Sequence, residues 1–206
     1  LYTKGWDLSL AKSVYEANCD ADINAYESTP LGANQKGFPY SLSQFIGKDY
    51  GKIASTPYGN NLVTEMAEMV LMKEELGKDD YTDLLAISFS SPDYIGHSFG
   101  PNSWETLDGY IKLDAVIAQL FASLDKQVGK NNYTVFLTAD HAVANIPDAL
   151  KLPKTDTARL GTAAARAAVA DAAALGALVD VYAAAFVAAH VAVALGAGER
   201  AHHSTV

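Results

Sequence analysis

The sequence predicts an α/β fold organised around a parallel sheet. Residues 84–89 and 133–137 are short apolar segments typical of strands, and residues 103–128 between them have the length and pattern of a helix. A strand, a long helix and a second strand in this order indicate a right-handed βαβ unit whose two strands run parallel. With 206 residues, half of them hydrophobic, the chain is long enough to form one globular core.

Local signals define the strand and the long helix. Residues 84–89 are apolar apart from Ser88 and are followed by Ser90, which is typical of a strand buried on both faces. Ser103 can cap the long helix at its start, and Gly129 can end it. We expect its buried face to comprise Trp104, Leu107, Ile111, Ala115, Ala118 and Ala122, widened by Leu113, Ile117, Leu120 and Leu124.

The region before the first strand divides into two parts. Residues 1–58 are rich in Gly, Pro, Asn and aromatic side chains, and we interpret them as a peripheral excursion outside the core. A helix is expected to follow, capped by Asn60 or Asn61 and ended by Gly77. The apolar face predicted for it comprises Leu62, Met66, Met69, Val70 and Met72, with the methionines filling the core.

The composition changes after residue 150. Residues 1–150 have an ordinary α/β sequence, whereas 20 alanines fall between Ala158 and Ala201. Alanine is the best helix former, so residues 151–206 are expected to continue the same domain as helices. The alternative is that alanine was written there in place of unidentified side chains.

The charge of the chain restricts its partners. The net charge is −9, with 10 Lys, no Arg and 20 Asp or Glu in residues 1–150 and 5 Lys or Arg against 4 Asp or Glu in residues 151–206. Such an acidic chain is not expected to bind nucleic acid specifically. No apolar run that could form a signal peptide or membrane anchor opens the sequence. The single Cys19 excludes an internal disulfide and a cysteine-based zinc site.

Two pairs of metal-binding side chains directly follow the predicted strands. Asp93 and His97 come after the first strand, spaced so that one helical turn places them on the same side. Asp140 and His141 come after the second strand. Ligands in open α/β sheets bind beyond the carboxyl ends of the strands, and Asp and His suit zinc and similar divalent ions. The sequence therefore predicts a site for two metal ions about 3.5–4 Å apart, the separation used in phosphoryl transfer.

The residues around these pairs resemble a known family. Residues 87–103 (ISFSSPDYIGHSFGPNS) and 133–141 (YTVFLTADH) are similar to the two metal motifs of the alkaline phosphatase superfamily, and residues 56–60 (TPYGN) to a turn upstream of them. The similarity is greatest to bacterial zinc alkaline phosphatases with a threonine nucleophile. These are related to the nucleotide pyrophosphatases and phosphodiesterases. The similarity extends from about Trp6 to Pro147.

This resemblance implies a fold, an activity and residue roles. The fold would be a three-layer αβα sandwich of the alkaline phosphatase type, present in part, with residues 1–150 as the central part of its catalytic domain. Asp93 and His97 would bind one zinc ion and Asp140 and His141 the second. The activity would be hydrolysis of phosphate monoesters through a phosphothreonine intermediate. Such enzymes are periplasmic or secreted, and we expect a monomer.

Some family residues have no counterpart in this sequence. The chain begins at Leu1, and we expect the nucleophilic threonine, one metal-binding aspartate and the basic phosphate-contacting residues to precede it. A further zinc-binding histidine lies far downstream in the family. His190, His202 and His203 are available but lie outside any matching motif. Ala142 follows the Asp-His pair where the family has glycine.

Three alternatives remain at this stage. The first is a phosphodiesterase or nucleotide pyrophosphatase of the same superfamily. The second is an inactive fragment that lacks its nucleophile. The third is an Ala-rich interaction module formed by residues 151–206. Thr56, Ser90 and Ser91 are other candidate nucleophiles, but none lies in a G-x-S-x-G elbow.

Overall fold

The computed structural model describes residues 1–141, 145–146 and 189–195. These contain four α-helices and three strands, together with two short 3₁₀ helices, Ser43–Phe45 and Tyr50–Ser55. The helices are α1 (Lys12–Asn18), α2 (Tyr58–Lys73), α3 (Ser91–Phe99) and α4 (Trp104–Gln127), and the strands are β1 (Asp83–Phe89), β2 (Tyr133–Ala139) and β3 (Ala189–Leu195). None of the described helices is both long enough and apolar enough to cross a lipid bilayer.

The three strands form one sheet in the order β1-β3-β2. Strand β3 is antiparallel to both neighbours, so β1 and β2 run parallel to each other, as the βαβ pattern predicts. The expectation of a parallel sheet is wrong for the described strands, because the antiparallel strand β3 lies between β1 and β2. Phe89 and Ala139 both lie opposite Ala189, so the carboxyl ends of β1 and β2 reach the same edge of the sheet.

Strand β3 corrects the prediction of helices in the alanine-rich tract. Val193 and Leu195 occupy alternate positions of β3, and both are fully buried in the hydrophobic core. A strand that pairs on both sides and buries alternate side chains gains more than the helix propensity of alanine provides. The rest of residues 151–206, including any helix in them, lies outside the described residues.

One face of the sheet carries the main hydrophobic core. Leu85, Ile87 and Phe89 of β1 point into it, and α2 and α4 cover this face. The opposite face is open, with Leu84 70% and Phe136 60% exposed. The prediction that β1 is buried on both faces is therefore wrong for the described part of the chain, which shows two layers.

The buried face of α2 differs from the predicted one, and the buried face of α4 agrees with its prediction only in part, at Trp104, Leu113, Leu120 and Leu124. Helix α2 buries Asn60, Thr64, Ala67 and Leu71, whereas Leu62 and all three methionines of its predicted face are exposed and Val70 is only partly buried. Helix α4 is capped by Ser103 as expected, but the alanines of its predicted face are exposed. Its buried residues are Trp104, Glu105, Thr106, Asp108, Gly109, Leu113, Val116, Leu120 and Leu124. The apolar pattern misled for α2 because this helix approaches α3 closely at Gly59, and such a contact favours small side chains.

Residues 1–58 form a second core instead of a loose excursion. Trp6, Tyr40 and Leu42 are buried against Ile95 and Phe99 of α3. Trp6 and Tyr40 also exchange backbone hydrogen bonds of 2.8 and 2.9 Å. This aromatic core fixes the side of α3 that faces away from the sheet edge.

Two buried carboxylates of α4 hold the N-terminal segment. Asp108 accepts hydrogen bonds from Trp6 Nε1 at 2.6 Å, Tyr15 Oη at 2.7 Å and the Ser9 amide at 2.7 Å, and pairs with Lys112 Nζ at 2.8 Å. Burial alone would raise the pKa of Asp108, but these hydrogen bonds lower it below its ordinary value. Asp108 is therefore an ionised anchor that ties residues 6–15 to α4.

Glu105, one turn earlier, is an anchor of the opposite kind. It is fully buried and accepts a hydrogen bond of 2.5 Å from Tyr40 Oη, while its Oε2 atom has no hydrogen-bond partner. Burial raises the pKa of Glu105 to about 8 despite the hydrogen bond from Tyr40. The folded protein therefore favours the protonated form of this side chain at neutral pH.

Candidate metal centre

The two predicted pairs of side chains meet at the carboxyl edge of the sheet. Asp93 lies in the first turn of α3 and His97 in its last turn, directly after β1. Asp140 and His141 follow the last residue of β2. Because β1 and β2 end at the same edge of the sheet, the two pairs come together although they are far apart in the sequence.

Asp93 lies between the two histidines. Its Oδ1 atom is 3.4 Å from His97 Nε2 and 3.9 Å from His141 Nε2. In the second pair, His141 Nε2 lies 3.4 Å from Asp140 Oδ2. All four side chains therefore belong to one cluster, which is the juxtaposition expected from the sequence.

Two atoms of this cluster are buried without a hydrogen bond. Asp93 Oδ1 and His141 Nδ1 are inaccessible to solvent and have no hydrogen-bond partner. A buried polar atom without a partner costs about 1–3 kcal/mol, so native proteins rarely keep one without a reason. Bound metal would account for the Asp93 oxygen, because coordination replaces the missing hydrogen bond.

The separations within the pairs fit a tetrahedral metal ion. Zinc bonds of about 2.0–2.2 Å to nitrogen and oxygen place two ligands of one ion roughly 3.4 Å apart. Asp93 Oδ1 and His97 Nε2 have this separation, as do Asp140 Oδ2 and His141 Nε2. It is longer than the 2.7–3.2 Å of an ordinary N–H···O hydrogen bond. The donor atoms present therefore fit zinc as two pairs.

Each pair supplies only part of a coordination shell. In the described part of the chain, no three His, Cys, Asp or Glu side chains are arranged to hold one metal ion together. A tetrahedral structural or catalytic zinc site needs three or four protein ligands. Further ligands would have to come from residues outside the described ranges.

Helix α3 is positioned from both sides. On one side, Ile95 and Phe99 pack into the aromatic core of residues 1–58. On the other, α2 approaches so closely that a Cβ atom on Gly59 would lie 2.2 Å from Ser91 Oγ. The composition of residues 1–58 did not reveal this role, because their aromatic side chains show no helical or strand periodicity. The TPYGN turn was the one available signal.

Tyr110 of α4 is a neighbour of the centre that the sequence did not reveal. Burial, and then the charge of the Asp93 carboxylate, raise the pKa of the Tyr110 phenol. The phenol is therefore close enough to the cluster to sense its charge. Its position on the fourth helix carried no motif that could have predicted this proximity.

The other candidates from the sequence have different positions. Thr56 is fully buried and donates a hydrogen bond of 2.8 Å to the Ile53 carbonyl oxygen, and Ser91 is 5% exposed beneath Gly59. Ser90 is exposed at the start of α3. The backbone of His190 lies in β3 opposite Ser88 and Thr138, near the same sheet edge. Ala142, His202 and His203 lie outside the described residues.

Comparisons with known proteins agree with the motifs. Residues 8–197 match the family profile "Type I phosphodiesterase / nucleotide pyrophosphatase". The chain is 45% identical over 131 residues to "Alkaline phosphatase PhoV" of Synechococcus elongatus, covering 64% of this chain and 24% of that protein. It is 40% identical over 149 residues to "Alkaline phosphatase PafA" of Elizabethkingia meningoseptica, covering 70% of this chain and 27% of that protein.

The structure is also similar to a solved alkaline phosphatase. Superposition on the crystal structure of wild-type alkaline phosphatase PafA gives a TM-score of 0.59 at 33% identity. The match covers 72% of this chain and 29% of that one. The chain therefore spans about a quarter of the length of the relatives it matches.

Proposed function

We propose that this chain, which belongs to the type I phosphodiesterase / nucleotide pyrophosphatase family, is part of a zinc-dependent alkaline phosphatase that hydrolyses phosphate monoesters. The observation that carries the proposal is the meeting of two Asp–His pairs at one sheet edge, each with its donor atoms 3.4 Å apart. The similarity to two alkaline phosphatases supports hydrolysis of phosphoesters.

The four side chains would hold two zinc ions, one by Asp93 and His97 and one by Asp140 and His141. When bound, zinc supplies Lewis acidity toward the transferring phosphoryl group. The carboxylates balance the charge of the ions, and Asp93, lying within 4 Å of both histidines, joins the two halves of the centre. Because His97 and Asp140 are about half exposed, a substrate phosphate can reach the cluster from solvent.

The nucleophile in this proposal is a threonine of the full-length protein that becomes transiently phosphorylated. Thr56 does not support a replacement for it, since this residue is buried and its hydroxyl donates to the Ile53 carbonyl oxygen. The 206-residue chain by itself is therefore expected to show no turnover. A phosphodiesterase or nucleotide pyrophosphatase remains the second candidate, favoured by the description of the matching family.

The remaining parts of the proposal concern the whole protein. The open face of the sheet, where Leu84 and Phe136 are exposed, supports a further helical layer and thus a three-layer αβα sandwich. We also propose, from the resemblance to alkaline phosphatases, that the enzyme is periplasmic or secreted and acts as a monomer.

The test is the zinc content and activity of the full-length protein. We expect about two zinc ions per chain and hydrolysis of p-nitrophenyl phosphate that a chelator abolishes and zinc restores. Asp93→Asn and Asp140→Asn should each lower the zinc content and reduce kcat at least about 100-fold. The matched control is Asp80→Asn, which changes an exposed aspartate that does not belong to the cluster. Unchanged zinc content in both site variants would contradict the assignment.

A further inference from the structure

A cavity of about 480 Å³ lies between α4 and β2. The aliphatic side chains of Leu113, Ile117 and Leu137 form much of its wall, and Tyr110 and Thr138 add hydroxyl groups. Small-molecule sites typically have volumes of about 300–1,000 Å³ and combine an apolar wall with a few polar groups. The cavity therefore has the size and lining of a ligand site.

The cavity adjoins the candidate metal centre at the carboxyl end of β2. On the strand side it is lined by Ala139, the residue immediately before Asp140. On the helix side it is lined by Tyr110 and Asp114 of α4. A molecule bound at the metal centre could thus extend into the cavity while it remains bound at the centre.

The charge of the lining restricts the occupant. Asp114 is the one charged residue among the described residues that line the cavity, and it carries a negative charge. No Lys, Arg or His of the described chain lines this space to offset it. An anionic group would be repelled there, whereas an uncharged apolar group would bury surface against the three aliphatic side chains.

We propose that this cavity receives the leaving group of the phosphate ester and selects for an uncharged aryl or apolar alkyl group. The inference rests on the proposed function. In the reaction, the P–O bond to the leaving group breaks and the group departs as an alcohol with a proton from water, while the hydroxyl of that water ends on phosphorus. A nucleotide leaving group, which carries further negative charge, is disfavoured by Asp114.

The experiment fills the cavity in the full-length enzyme. Leu137 is 65% exposed, so Leu137→Trp adds a ring to the cavity without removing core packing. The matched control is Phe136→Trp, because Phe136 is 60% exposed on the other side of the same strand and does not line the cavity. Each variant is assayed with phenyl phosphate and with methyl phosphate, and kcat/KM is compared with that of the unmodified enzyme for each substrate.

We expect Leu137→Trp to lower kcat/KM for phenyl phosphate about tenfold or more while changing that for methyl phosphate less than about twofold. Phe136→Trp should change neither. Equal losses on both substrates, or no loss on either, would overturn the inference while leaving hydrolysis itself intact. If the unmodified enzyme bound no zinc and hydrolysed neither substrate, the proposed function would fall as well.

A second measurement needs no variant. Phenylphosphonate and methylphosphonate carry the same phosphonate head but only the first has a ring for the cavity. We expect phenylphosphonate to inhibit the unmodified enzyme with an inhibition constant at least about tenfold lower. Equal inhibition constants would overturn the inference.

Discussion

Replacing Glu105 by glutamine should leave the stability of the protein nearly unchanged at acidic pH and raise it at alkaline pH. Glu105 is fully buried, and burial raises its pKa to about 8 in the folded protein from an ordinary value of 4.5. Between these two pH values the folded protein holds a proton that the unfolded chain has released. The free energy of unfolding therefore falls as pH rises through this window and is lowest above pH 8.

The difference between the two pKa values corresponds to about 5 kcal/mol, as an upper limit. Glutamine cannot ionise, and its side-chain oxygen can still accept the hydrogen bond from Tyr40. We therefore expect Glu105→Gln to lie within about 1 kcal/mol of the unmodified protein at pH 5 and to be more stable by several kcal/mol at pH 9.

Urea denaturation of both proteins at pH 5 and pH 9 provides the measurement. Zinc and all other titrating groups are common to both proteins, so the difference isolates Glu105 and its coupling to Asp22 and Glu27, whose pKa values are also raised by burial. Glu16→Gln serves as the control, since Glu16 is exposed and should change stability by less than about 0.5 kcal/mol at either pH. A Glu105→Gln protein that is less stable at pH 9 would refute this reasoning.

Two further changes test the contacts that position α3 and α4. Asp108→Ala should cost about 3–5 kcal/mol, measured by urea denaturation, because it leaves buried donors and Lys112 without their acceptor, and Asp108→Asn should cost less; a loss below 1 kcal/mol would contradict the anchor. Gly59→Ala should cost about 1–3 kcal/mol and weaken zinc binding, because its methyl group would meet Ser91. Unchanged zinc affinity in a competition titration would show that this contact does not position the centre.

The sequence predicted the meeting of the two Asp–His pairs better than the sheet that holds them. Asp93 and His97 were placed correctly because the spacing of four residues acts within one helix, and a helix repeats locally. Asp140 and His141 were placed because β1 and β2 share a direction. Neither inference depends on which strand lies between β1 and β2.

The order of the strands depends on contacts between distant segments. Strand β3 comes 50 residues after β2 ends, and its alanine content favours a helix when the segment is considered alone. Its place between β1 and β2 follows from backbone pairing with two partners and from the burial of Val193 and Leu195. No local sequence pattern predicts a pairing between strands so far apart in the chain.

The prediction of the buried face of α2 is wrong for a related reason. Apolarity placed Met66 and Met69 in the core, whereas the structure buries Asn60 and Thr64 of the same helix. Close approach of α2 to α3 at Gly59 favours small side chains on this face, and long methionines would not fit there. The tight contact, and not hydrophobicity, selects the face.

The most direct test of the central claim is the location of zinc in crystals of the full-length protein. Anomalous diffraction measured at the zinc absorption edge should give two peaks per chain. One should lie within about 2.2 Å of Asp93 and His97 donor atoms and the other within the same distance of Asp140 and His141. Peaks at other residues, or none in crystals grown with zinc, would contradict the account.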